Sequence, residues 1–117
     1  MKIILLLILL TPYMEALLVY DFNKNSDTRD WSIVDDVVMG GRSNGNFEIN
    51  SEGHGEFFGY VTTENNGGFS SIRCQFEKIP TTQNSKINLI LKGDGKEYQL
   101  RIKSNLRYYY SYITNFK

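Results

Sequence analysis

The chain has 117 residues, enough for one domain at most. Thirteen basic residues balance thirteen acidic ones, which argues against a nucleic-acid binder that gains its affinity by neutralising phosphates. A single cysteine, Cys74, excludes an internal disulfide and a cysteine-ligated metal cluster, and a single histidine, His54, leaves no imidazole pair for a metal.

Aromatic residues make up 14% of the chain, with eight Tyr and seven Phe. Together with many Ile, Val and Thr, they favour strands over helices. Ten glycines against two prolines fit turns between short strands. Cys74 is expected to be a small buried thiol on a strand. His54 is expected on the surface of a glycine-rich turn. A nucleophile–base pair between the two is the lesser alternative.

Taken in order, Met1-Lys2 precedes the apolar run 3–10 and then Thr11-Pro12. One positive charge before a short apolar run resembles a secretory signal peptide. The run is shorter than the roughly 20 residues a membrane-spanning helix needs. Residues 1–18 are therefore expected to be a signal peptide or hydrophobic leader, with cleavage near Ala16, and residues 19–117 the domain. Glu15 and the lack of an A-x-A pattern leave an uncleaved leader open. If the leader is a signal, the protein is exported or associated with the cell envelope (periplasmic). Otherwise it is cytoplasmic.

Residues 16–23 are expected to form the first strand, 23–30 a polar loop, and 31–34 a short strand anchored by Trp31. The strand is expected to resume at 37–39 after Asp35-Asp36. Ser43-Asn44-Gly45-Asn46 carries an Asn-Gly pair, which suits a type I′ turn joining strands at 37–42 and 46–50. A polar turn at 51–55 leads to a strand at 56–62. That strand carries apolar residues on both faces, as expected of a central strand covered on both sides. A loop at 63–68 precedes a strand at 69–76.

After the polar connection 78–85, segments 87–92 and 97–103 alternate apolar and polar residues. They predict a hairpin about Gly93-Asp94-Gly95 with one buried face. Ile87, Leu89 and Leu91 would face inward from one arm, and Tyr98, Leu100 and Ile102 from the other. The aromatic tail 108–117 is expected to be a strand whose partners are missing. No apolar period of 3.6 residues follows the leader, and about eight short strands predict a sandwich or jelly roll.

Several groups have chemical potential. Asp35-Asp36 could be an acid–base or metal pair, but neighbours in a strand point to opposite faces, and a calcium site needs six or more oxygens. The preferred expectation is that one Asp accepts backbone N–H bonds in the tight turn before Met39-Gly40-Gly41. The loop Glu64-Asn65-Asn66-Gly67-Gly68 could face a ligand or be a turn that simply requires glycine. Gly93-Asp94-Gly95-Lys96 lacks the spacing and helix of a phosphate-binding loop and is expected to be a hairpin turn. Trp31, Tyr60 and the tyrosines at 108–110 could form a sugar-stacking platform, or be ordinary core and cross-strand contacts. No G-x-S-x-G, H-E-x-x-H or G-x-G-x-x-G occurs, so neither catalytic residues nor a cofactor or metal is expected. An acid–base role for Asp36 or Glu64 is the least favoured alternative.

Three stretches resemble one family. These are W-S-I-V-D-D-V-V-M-G-G-R-S (31–43), E-N-N-G-G-F-S-S-I-R (64–73) and K-G-D-G-K-E-Y-Q-L-R-I-K (92–103). In this order they resemble the CIA30 domain, the complex I intermediate-associated protein 30 or NADH:ubiquinone oxidoreductase assembly-factor family. The resemblance covers residue 19 to the C-terminus.

It implies an all-β, galactose-binding-like β-sandwich (jelly roll), here incomplete because the family domain usually continues with further strands. Mitochondrial members act as chaperones in complex I assembly, and other relatives assemble photosynthetic complexes. Many bacterial members are short and carry a leader. No catalytic residues come with the family. The matching positions are Asp36, Met39, Gly40, Gly41, Ser43, Asn66, Gly67, Gly68, Phe69, Arg73, Gly93, Asp94, Gly95 and Tyr98.

The expected function is a non-enzymatic interaction domain. It would present Asp36, Met39, Gly40, Gly41, Ser43, Asn65, Asn66, Gly67, Gly68 and Arg73 to a protein partner or an assembling membrane complex, and be peripheral to the membrane at most. The alternative is a secreted carbohydrate-binding module that takes a glycan.

Overall fold

The computed structural model describes residues 16–105, 107, 109 and 111–117; the expected leader falls almost wholly outside them. The described residues are all-β, with six strands in small antiparallel sheets and short 3-10 turns, the make-up of an incomplete β-sandwich. None of the helical turns is long and apolar enough to cross a membrane. Two compact units divide the chain after Gln75.

In the first unit, strand β1 (Trp31–Asp35) pairs with β4 (Ser70–Cys74). Trp31 faces Cys74, Ile33 faces Ile72 and Asp35 faces Ser70, so apolar partners share one face. Ser71 Oγ donates to Val34 O at 3.1 Å. Strand β2 (Asn44–Ile49) pairs with β3 (Gly55–Tyr60), placing Phe47 opposite Phe57.

The β2–β3 turn is built by Asn50, whose Oδ1 accepts the N–H groups of Glu52 (3.0 Å) and His54 (2.9 Å). Gly53 takes φ +87° there, a value glycine reaches without penalty. His54 is exposed in this turn and Cys74 half-buried on β4.

Several expected elements are displaced. Asn44-Gly45 is not a hairpin turn but the start of β2. Gly45 is required by close approach: a Cβ there would collide with Ser70 Oγ. Residues 36–39 form a 3-10 turn rather than a resumed strand, because Asp36 is withdrawn into a polar interior. Among the described residues β3 pairs with β2 alone and is not covered on both sides, and Phe58 and Tyr60 are exposed.

Residues 16–23 run without a ladder. Their rings hold them in place instead. Tyr20 and Phe22 lie 5.2 and 5.4 Å from Trp31, and Phe22 lies 5.8 Å from Phe47. Such separations and tilts are those of favourable aromatic pairs.

In the second unit, Phe76–Lys117, strand β5 (Tyr98–Ile102) pairs with β6 (Tyr112–Phe116), and the Tyr98 and Phe116 rings stack at 5.9 Å. The tail therefore has a partner. The expected partner of β5, segment 87–92, forms no strand, and Ile87, Leu89 and Leu91 are exposed. Alternation tells which residues share a face, not which segment supplies the ladder. The expected hairpin turn is therefore absent, and residues 93–96 form a bend that leads into β5: Asp94 accepts the Lys96 N–H (3.0 Å) and the Tyr98 hydroxyl (2.9 Å), with Gly95 at φ +83°. These bonds, the Lys96 N–H first, hold the Asp94 carboxyl below its usual range.

Candidate functional site: a buried carboxylate clip

No apolar side chain among the described residues is fully buried. The fully buried polar side chains are Asp36, 0% exposed, and Ser43, 2% exposed. The interior of the first unit is thus centred on a carboxylate.

The chain delivers Asp36 there in steps. The β1–β4 ladder ends with Asp36 N–H donating to Phe69 O at 3.2 Å. The backbone then turns through the 3-10 segment Asp36–Met39, closed by Gly40 at φ +87°. Gly41 N–H returns to Asp36 O at 2.9 Å. This fold-back brings Ser43 over the carboxylate. Ser43 N–H donates to Oδ1 at 2.8 Å and Ser43 Oγ to Oδ2 at 2.6 Å. From the other glycine-rich loop, Gly68 N–H donates to Oδ2 at 2.6 Å and Phe69 N–H at 3.4 Å.

The carboxylate therefore joins both double-glycine turns. It also explains the glycine next to it in each. A Cβ on Gly41 or on Gly67 would collide with the Asp36 carboxylate. Burial pushes the Asp36 pKa up. The Ser43 hydroxyl and the N–H groups of Gly68, Ser43 and Phe69 outweigh it and hold the carboxyl below its usual range, as expected where several donors favour the charged form.

Ser43 extends the network. Its single hydroxyl proton goes to the charged oxygen at 2.6 Å rather than to Thr62 O at 3.3 Å, because the carboxylate is the stronger acceptor. Ser43 Oγ in turn accepts the Thr62 N–H at 3.1 Å. Asp35, by contrast, turns away and takes the Gly45 N–H at 3.1 and 3.2 Å. The two neighbouring acids thus serve separate backbone groups.

Among the expected surface residues, Asp36, Gly41, Ser43, Gly67 and Gly68 meet at the clip. Met39 and Gly40 lie on the turn that carries it. Asn65 and Asn66 flank it at φ +55° and +61°, a left-handed conformation that asparagine tolerates better than most residues. Arg73 does not join them. It lies on β4, with Nε donating to Ser71 Oγ at 3.1 Å.

The saturated, buried Asp36 has no free face for acid–base work. Glu64 is exposed beside Arg42 at 3.6 Å. Trp31 is half-buried and packs against Tyr20, Phe22 and Phe47, as an ordinary core contact does. Of the tyrosines expected beside it, Tyr108 and Tyr110 lie outside the described residues. No group of three His, Cys, Asp or Glu among the described residues could hold a metal.

Two features were not anticipated from sequence. One is the role of Thr62. The other is the exposure of Val37 and Val38 (75%), which join the expected Met39 at the surface and follow directly on the most deeply buried residue. Alternation could not reveal this, because the segment leaves the strand at Asp36.

These features define an all-β domain whose two glycine turns are clipped together by one ionised side chain. The chain belongs to the CIA30 family: the family model for complex I intermediate-associated protein 30 matches residues 20–117. No curated protein and no solved structure is significantly similar to it.

Proposed function

We propose that the chain is a non-enzymatic interaction domain of the CIA30 type, which binds a protein partner during assembly of a membrane complex. Family membership supports an assembly role related to complex I. The observation that carries the reading is the clip, which ties both glycine turns to Asp36. A surface prepared in this way needs little further ordering when it binds. Val37, Val38 and Met39, exposed on the clipped turn, are the contact residues. Burying each against a partner would contribute up to roughly 1.5–3 kcal/mol. The galactose-binding-like lineage and export through the leader belong to the same proposal.

The test is co-purification of the tagged full chain from its native cells. A Val37→Ser, Val38→Ser double variant should fold, since neither side chain enters the clip, and should lose the partner. Retention of every partner by the folded variant would overturn the proposed surface.

A further inference from the structure

The chain contains two Asn-Gly dipeptides, Asn44-Gly45 and Asn66-Gly67, and the structure places them in opposite situations. We infer that Asn66 is a site of spontaneous backbone modification that ages the clip, whereas Asn44 is protected. The chemistry needs only water. The Gly67 backbone nitrogen gives up its proton and attacks Asn66 Cγ. A new N–C bond closes a five-membered succinimide as the Cγ–amide bond breaks and ammonia leaves. Water then opens the ring at either carbonyl, leaving an aspartyl or an isoaspartyl residue. Glycine in the second position removes the side chain that would hinder the attack.

At Asn44 the backbone is fixed in the β2–β3 ladder, opposite Tyr60. Its Oδ1 accepts from Asn46 Nδ2 at 3.0 Å, and the attacking nitrogen, Gly45 N, is held by the Asp35 carboxylate. The negative charge of Asp35 also opposes deprotonation of that nitrogen. At Asn66 these restraints are absent. The residue is exposed, lies outside every strand and sits at φ +61°, an uncommon conformation for a residue with a side chain. The Gly67 N–H is held only within the three-residue turn, by Glu64 O at 3.0 Å. Opening that short turn frees the nucleophile, and such local openings need far less than global unfolding.

The consequence reaches Asp36. Gly67 lies so close to the carboxylate that no Cβ fits between them, and Gly68 supplies a 2.6 Å donor. An isoaspartyl link inserts one extra backbone carbon immediately before this pair. The loop then cannot keep both the close approach and the hydrogen bond, so the modified chain should release its second glycine turn.

The test incubates the full chain at mildly alkaline pH, folded and in urea, and locates conversion by fragment mass spectrometry and isoaspartyl labelling. In the folded chain, conversion should be several-fold faster at Asn66 than at Asn44, and in urea the two should converge. Equal rates in the folded chain, no conversion at Asn66, or a preference that persists in urea would each overturn the assignment. Asn66→Gln should abolish the fast conversion. The isoaspartyl fraction, separated from unconverted and aspartyl chains, should lose slow hydrogen exchange at the Gly68 and Ser43 amides. Retained protection there would overturn the link to the clip.

Discussion

Removing one hydroxyl, in Ser43→Ala, tests the clip at its least disruptive point. The side chain is 2% exposed, donates to Asp36 Oδ2 at 2.6 Å and accepts from Thr62 N–H at 3.1 Å. A hydrogen bond to a charged group contributes about 1.5–3 kcal/mol, and a buried N–H left without a partner costs about 1–3 kcal/mol. The two overlap, since Thr62 is only half-buried and water can satisfy part of its loss. A destabilisation of about 2–4 kcal/mol is expected, a large share of the roughly 5–15 kcal/mol that holds a typical domain. For a unit of this size it corresponds to a drop in Tm of roughly 15–30 °C.

Trp31, the single tryptophan, reports unfolding in urea from inside the same unit. Ser71→Ala is the control. Its hydroxyl donates to the neutral Val34 carbonyl at 3.1 Å and accepts from the solvent-exposed Arg73 Nε at 3.1 Å; with the charged partner in water, it should contribute only about 1 kcal/mol. If Ser43→Ala costs no more than Ser71→Ala, the carboxylate is not what the first unit is built around.

Three further outcomes follow from the same geometry. Gly41→Ala should destabilise more than Gly40→Ala in urea unfolding. The added Cβ on Gly41 meets the Asp36 carboxylate, whereas Gly40 has open space and carries only the penalty of φ +87°, about 1–2 kcal/mol. The folded-state pKa of Asp36 is lowered, so its stabilising contribution is complete above the unfolded value of about 3.9 and is lost as pH falls through the folded value. The stability difference between wild type and Asp36→Asn should therefore be constant near neutrality and shrink in that acid window; a difference that persists unchanged through it would contradict an ionised clip. Burial first, and then Asp30, raise the Cys74 pKa. Its alkylation should be slow in the folded chain and fast in urea; equal rates would show the thiol to be open.

The sequence made the site more legible than the ladders. The expectation that one Asp of the pair would accept backbone N–H groups in the turn before Met39-Gly40-Gly41 is met in part: Asp36 accepts them, but from Ser43 beyond the turn and from Gly68 and Phe69, and Asp35 accepts the Gly45 N–H. The sequence contains the reason, since a double glycine directly after the turn signals backbone with positive φ or close approach. It did not disclose that the second glycine loop shares the same acceptor, because that contact joins residues 32 apart. Asn44-Gly45 misleads because the glycine serves close packing against Ser70 rather than a positive φ. Residues 87–92 mislead because their alternation is as good as that of β5, yet the ladder partner is β6. Residues 16–23 have strand composition, but rings rather than a ladder fix them. The local pattern was readable in each case, whereas the identity of the partner was set by tertiary contacts.

The most direct test is an NMR pH titration that follows the Asp36 carboxyl carbon together with the Gly68 and Ser43 amide protons. The clip predicts that the carboxyl stays ionised below the usual carboxylate range, and that both amides, one from each glycine turn, shift in step with it. A carboxyl that titrates at the ordinary value while either amide stays still would show that Asp36 does not join the two turns.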